Sequence, residues 1–252
     1  MVSSPSALAK SVAHAGSALA RHWPAPCAVC GSWVAGGLCT ACQTRFIPPR
    51  LRCRCCGLGL TAPAEVCGSC LRQPPPMART QVALDYAFPW DRLITAFKFG
   101  QRPELAGVLA PLLAGSLRAS AATRPDVVLP VPLAPARLRE RGYNQAWELA
   151  RRVARALDCP AWPTGLQRWR DTAAQTRLDA AERQANLRDA FLPDPTLPQR
   201  LAGRHVALVD DVMTTGATVS AAAELLHRCG VAEVSVWVLA RTPRPAEELP
   251  SG

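Results

Sequence analysis

Two adjacent carboxylates, Asp210 and Asp211, are followed after two apolar residues by Thr214, Thr215, Gly216, Ala217 and Thr218. These residue types suit different chemistry. Carboxylates accept hydrogen bonds and repel anions, so they fit vicinal sugar hydroxyls or a Mg²⁺ ion held through water. A Thr/Gly-rich loop that opens a helix fits phosphate, because the backbone N–H groups there lack helical partners and carry partial positive charge. Gly216 has no Cβ to hold the backbone away from a ligand, and the Thr hydroxyls add donors. Diol acceptors beside a phosphate cradle describe a ribose-5-phosphate site. The bland alternative is a strand-turn-helix whose two Asp act only as turn formers facing solvent.

A second group is built from sulfur. The chain has 11 Cys, and eight of them form four C-x-x-C pairs: Cys27/Cys30, Cys39/Cys42, Cys53/Cys56 and Cys67/Cys70. Each pair can place two thiolates on one metal from a tight knuckle, and two knuckles complete a tetrahedral Zn²⁺ site. Eight ligands imply up to two zinc ions. Consecutive pairs would make two successive ribbons and interleaved pairs a cross-brace; consecutive pairing is favoured. Cys55, beside Cys56, is a ninth thiol and is read as a non-ligand. A disulfide scaffold and an iron–sulfur cluster are weaker rivals. No secretory signal is evident, and the pairs are too evenly spaced for the usual cluster runs.

A third group is cationic. Arg137, Arg139 and Arg141 follow an apolar run at 127–131 and are read as a loop at the carboxyl end of a strand. Parallel sheets bind ligands there, and guanidinium forks suit pyrophosphate. The alternative is a basic loop that faces water. Lys98 closes an apolar helical pattern just before Gly100 and reads as a cation answering the helix dipole.

Elements that would carry these residues can be read from periodicity. The run 206–209 is too short for a helix and suits a buried strand. After the loop, Val219, Ala222, Ala223 and Leu226 share a helical face that Gly230 ends. Strands are predicted at 81–86, 127–131 and 233–239. Helices are predicted at 89–99, at 104–117 with Pro111 as a candidate kink, at about 146–157, and over a short stretch through Leu178, Ala181 and Ala185. Strands and helices alternate over 80–241, which argues a mostly parallel sheet covered on both faces.

The chain has 252 residues, 49% of them hydrophobic, as in a globular protein. No apolar run reaches the ~18 residues of a membrane span, so membrane insertion is not expected and the location is read as cytoplasmic. The formal net charge is +10. Residues 1–80 hold eight Lys/Arg against one acid, Glu65, so the head is the more basic part. Such a bias suits a polyanion such as single-stranded DNA. Arg45, Arg50, Arg52 and Arg54 are available for phosphates, and Trp23, Trp33 and Trp169 for base stacking. The organisation reads as a leader at 1–22 (frayed helix or disordered), a double zinc ribbon at 23–73, a sheet domain at 80–241 and a disordered tail at 242–252.

The segment VALVDDVMTTGAT resembles the phosphoribosyl-pyrophosphate (PRPP) motif of type I phosphoribosyltransferases. With the four knuckles it joins FKFG at 97–100, PVPL at 130–133 and RGYNQ at 141–145. Arg168, Arg170, Thr172, Gln175, Leu178 and Asn186 complete the set. Together these resemble the ComF family, which includes GntX-like proteins, over roughly residues 23–241. The resemblance implies an α/β fold: a type I phosphoribosyltransferase-like parallel sheet domain preceded by a small Cys-rich zinc ribbon domain. It implies that Asp210 and Asp211 hold ribose hydroxyls or Mg²⁺, that loop 214–218 holds the 5′-phosphate, and that Arg137, Arg139 and Arg141 face pyrophosphate. Mg²⁺ would accompany PRPP. The implied role is DNA uptake in natural transformation, with single-stranded DNA, a PRPP-like small molecule and competence machinery proteins as partners. Phosphoribosyl transfer to an unknown acceptor is the enzymatic alternative, and a zinc-stabilised adaptor without ligand binding is the third. The chain departs from several purine-using relatives at Thr214, where they carry an Asp thought to act on the base.

Overall fold

The computed structural model describes residues 24–120, 123–169 and 190–243. The leader, Trp23, the stretch holding Arg170, Thr172, Gln175, Leu178 and Asn186, and all but the start of the tail lie outside the described residues. The chain forms two compact units, Met1–Pro48 and Pro49–Gly252. The stretch 23–73 is thereby divided, one cysteine group falling in each unit.

In the first unit, β1 (Pro24–Pro26) pairs antiparallel with β2 (Trp33–Ala35), and α1 (Thr40–Phe46) follows. Its buried apolar side chains among the described residues are Cys27, Leu38 and Cys42, too few to hold a fold without help.

The second unit opens with the other cysteine group and α2 (Gly68–Arg72), then β3 (Arg79–Asp85) and α3 (Trp90–Phe99). A 3₁₀ turn leads into α4 (Ala106–Ala119), and β4 (Val127–Pro130) follows. Next come α5 (Pro135–Arg141), α6 (Gln145–Ala156), β5 (Leu166–Arg168), β6 (Phe191–Pro193) and α7 (Leu197–Leu201). The chain then enters β7 (His205–Met213), α8 (Ala217–Arg228) and β8 (Glu233–Arg241).

Four strands make one parallel sheet in the order β3-β8-β7-β4. Residues 206–209 of β7 are fully buried, as befits a parallel strand covered on both faces. Val206, Leu208, Val234 and Val236 pack in one core with Val219, Ala222 and Leu226 of α8. Strand side chains alternate, so Ala207 and Val209 point the other way, toward the face where α4 and α6 pack together and on the strands.

Three expectations change. β7 runs past residue 209 to Met213, because β8 continues beside it and pairs Met213 with Arg241; both Asp therefore belong to the strand. The arginine segment is a helix, α5, rather than a loop. Pro135 occupies its first turn and Gly142 closes it in the left-handed region, at φ 76°, an arrangement both residues favour. Pro111 stays inside a continuous α4. It and Gly107, whose carbonyl loses its donor, are exposed, so water can replace the missing bond.

Candidate functional site: an acidic strand end, a glycine-opened loop and two cysteine groups

At the carboxyl end of β7 the two acids take different surroundings. Asp211 is buried, and its Oδ1 lies 3.1 Å from Lys98 Nζ. Asp210 is half-buried, on the α8 side by alternation. The Asp211 N–H donates to Asp210 Oδ1 at 2.8 Å, and the Val212 N–H to Asp211 Oδ1 at 2.7 Å. Burial first, and the neighbouring Asp211 carboxylate second, push the Asp210 carboxyl up to about 7, against the pull of Lys98. Lys98 is thus more than a helix-end cation: it is the countercharge of the acidic pair.

The RGYNQ segment explains how Lys98 is held. The Tyr143 hydroxyl donates to Phe97 O, and Gln145 Nε2 donates to Lys98 O at 3.3 Å. Arg141 Nη1 donates to Gln145 Oε1 at 3.1 Å, while its guanidinium lies 4.6 Å from the Phe99 ring centroid. Asn144 caps α6 by accepting from the Ala146 N–H at 2.9 Å, and donates to Val131 O at 3.1 Å. Four consecutive-segment contacts therefore pin the end of α3, and with it the lysine, to the end of β4. Sequence reasoning missed this role for Lys98; the only signal was the pairing of FKFG with RGYNQ.

The three arginines do not converge. On a helix, Arg137 and Arg141 share a side and Arg139 points away. Arg139 is exposed, Arg137 is half-buried, and Arg141 is buried against Phe99. Arg141 is a tie between motifs. Three of the head arginines are also engaged: Arg50 Nε and Arg52 Nη2 each lie 2.9 Å from Asp85, and Arg45 sits over the Phe46 ring, while Arg54 is exposed.

After β7 the chain turns through Thr214 and Thr215, both exposed, to Gly216 at φ 89°. A side chain there would be strained, and a Cβ would stand 2.5 Å from Met213 Cε. α8 starts at Ala217, two residues before the predicted apolar face, so Thr218 lies in its first turn. The Ala217 N–H donates to Thr215 Oγ1 at 3.3 Å.

The cysteines gather consecutively, Cys27 with Cys30, Cys39 and Cys42, and Cys53 with Cys56, Cys67 and Cys70, the Sγ atoms of each group within 4.8 Å of one another. Backbone N–H groups point at sulfur, from Cys39 to Cys27 Sγ at 3.4 Å and from Cys67 to Cys53 Sγ at 3.3 Å. Burial opposes ionisation of Cys27 and Cys53, yet these and neighbouring N–H donors outweigh it and bring both thiols down to about 6. Burial and then the adjoining thiols push Cys42 up to about 12 and hold Cys70 high as well. Each group is a preformed Cys₄ donor set that suits Zn²⁺, whose charge would ionise the reluctant thiols. The second group is pressed on the sheet: a Cβ on Gly57 would stand 2.3 Å from Val82 Cγ2, and Thr80 Oγ1 donates to Cys55 O at 2.6 Å.

This parallel sheet, with its acidic strand end and glycine-opened loop, makes the larger unit a type I phosphoribosyltransferase-like domain. The family model for the phosphoribosyl transferase domain matches residues 143–251. The chain is 39% identical over 216 residues to DNA utilization protein YhgH of Escherichia coli O157:H7, covering 84% of this chain and 92% of that one. It is 40% identical over 212 residues to the protein of that name from Salmonella typhimurium strain LT2, covering 82% and 91%. It is 38% identical over 209 residues to Competence protein F of Haemophilus influenzae, covering 81% and 90%. The chain belongs to the ComF family.

Proposed function

We propose that the larger unit binds a ribose-5-phosphate ligand of the PRPP type, and that the protein serves DNA uptake by handling single-stranded DNA in the cytoplasm. The observation that carries the first part is the acidic pair, held by Lys98 at the end of β7, directly before the loop that Gly216 opens. Asp210 and Asp211 offer acceptors for the 2′- and 3′-hydroxyls, loop 214–218 offers donors to the 5′-phosphate, and Mg²⁺ would enter on the ligand's pyrophosphate. Asp210 and Lys98 set the protonation of the diol end. Support for the DNA part is the names of the relatives, the net charge of +10 and the exposed rings of Trp33 and Trp169. Among the described residues no helix is long and apolar enough to cross a membrane.

Calorimetric titration of Mg²⁺-PRPP into zinc-loaded protein tests the site. Binding lost in Asp210→Asn/Asp211→Asn supports it, and no binding by folded protein sinks it. Pyrophosphate release during the titration would mark the transferase alternative. For DNA, anisotropy with labelled single strands should fall steeply as salt rises; binding absent at low salt removes that part.

The pH dependence follows from Asp210. Its ionised form is the acceptor of a sugar hydroxyl, and its pKa stands near 7. The affinity should therefore weaken as pH falls through 7, about tenfold per pH unit at the limit, relative to an Asp210→Asn variant that lacks this dependence. Parallel curves for the two proteins between pH 5.5 and 8 would contradict the assignment.

A further inference from the structure

Arg241 ends β8 and is buried, 6% exposed. Its Nε–H donates to Cys56 O at 3.0 Å. Its Nη1 donates to Met213 O and Thr242 O, each at 3.0 Å, and to Thr214 O. Cys56 belongs to the second cysteine group, whereas Met213 and Thr214 lead into the phosphate-type loop. One guanidinium therefore joins the backbone of a metal knuckle to the backbone that places the loop. A cavity of about 510 Å³ opens between them, with Cys56, Cys67 and Cys70 on one side and Thr214, Thr215 and Gly216 on the other.

The two ends of this link differ in what fixes them. The loop end is fixed by β7 and by the Thr242 N–H, which donates to Met213 O at 3.0 Å. The knuckle end is anchored to the sheet one and two residues away, by Thr80 Oγ1 to Cys55 O at 2.6 Å and the Thr80 N–H to Arg54 O at 2.8 Å. The Cys56 carbonyl itself, however, sits in a turn whose flanking Cys53 and Cys56 are half of the Cys₄ set. A knuckle that loses its metal loses the constraint that aims this carbonyl. The guanidinium can then shift, and the bonds that shift with it include those to Met213 O and Thr214 O at the start of the loop. Lysine cannot reproduce the link, because a single ammonium lacks the planar fork that serves two segments at once.

We propose that Arg241 is a positioning residue that couples metal occupancy of Cys53, Cys56, Cys67 and Cys70 to the set of loop 213–218. Zinc in that group and a phosphate ligand on the loop then stabilise each other, by the same factor in both directions. The ligand half rests on the reading given under the proposed function. The loop half does not, because it can be read without ligand.

The test uses full-length, zinc-loaded protein beside Arg241→Lys, with circular dichroism to establish that the variant is folded. Hydrogen exchange of the 213–218 amides is measured without ligand, before and after zinc is taken up by the chelator 4-(2-pyridylazo)resorcinol. Exchange there should quicken at least several-fold in Arg241→Lys and on zinc removal from the native chain, while removal adds little in the variant. Zinc release is then timed with and without saturating Mg²⁺-PRPP. The ligand should slow the second group's release, within the roughly 5- to 150-fold range of site-to-site coupling, in native protein and not in Arg241→Lys. Cys27→Ser/Cys30→Ser assigns the phase, since it leaves only the second group intact. Loop exchange indifferent to both the substitution and the metal would overturn the coupling. Absence of any PRPP effect with the exchange response intact would instead overturn the choice of ligand.

Discussion

Lys98→Met is expected to lower stability by about 3 kcal/mol at neutral pH, the scale of removing one partner from a buried ion pair. Lys98 is the cation 3.1 Å from Asp211, with side-chain exposures of 19% and 10%. Without it two neighbouring carboxylates stand at one strand end with no countercharge between them. The loss should depend on pH in a definite direction. Asp210 is already raised to about 7, and Lys98 is what pulls it down, so the variant raises it further. A group whose folded pKa is raised contributes stability below its unfolded pKa and loses it as pH rises through the folded value. The variant's deficit should therefore be smaller at pH 5 than at pH 8. Urea unfolding at the two pH values reads this; an equal deficit at both would show that the lysine acts through Asp211 or packing and not through the Asp210 titration. Lys98→Arg should keep most of the stability, because the charge remains.

Zinc removal is expected to act most strongly on the unit Met1–Pro48. Structural Cys₄ zinc contributes roughly 10–16 kcal/mol of apparent binding free energy near pH 7, far beyond what burial of Cys27, Leu38 and Cys42 supplies. Chelation should abolish amide protection over 24–46 completely. The sheet of the larger unit should keep its protection, since the core of Val206, Leu208, Val234 and Val236 is mostly aliphatic and takes only Cys56 of the second cysteine group against its edge. The loaded protein should contain two zinc ions per chain by native mass spectrometry. One ion, or protection at 24–46 that survives full chelation, would contradict the two preformed groups.

Much of this architecture is legible before any coordinates. The apolar run 206–209 marks a parallel strand because it has no polar alternation, and the four C-x-x-C pairs announce metal knuckles because sulfur at that spacing has few other uses. Asp210, Asp211, Gly216 and the threonines are recognisable because their chemistry is local: acceptors, a left-handed turn and a helix start lie within nine residues. The arginine segment reads as a loop for a related reason. Arg137, Arg139 and Arg141 show no apolar period, and only the Pro135 and Gly142 ends reveal the helix.

Contacts between distant segments were decided by the tertiary structure. Lys98 and Asp211 are 113 positions apart in the sequence and meet because the end of α3 is bound to RGYNQ, which is bound to the end of β4 beside β7. Nothing in the types of Arg141, Tyr143 or Gln145 distinguishes a ligand-binding side chain from a tie; burial and hydrogen-bond partners do. Arg241 looks like a final basic residue of an apolar strand, and becomes a link only because β8 lies next to β7 and carries it under the Cys56 knuckle. Local chemistry is written in residue type and spacing. Which charges neutralise one another, and which carbonyls one guanidinium can reach, depends on chain segments that only the packed sheet brings within 3 Å.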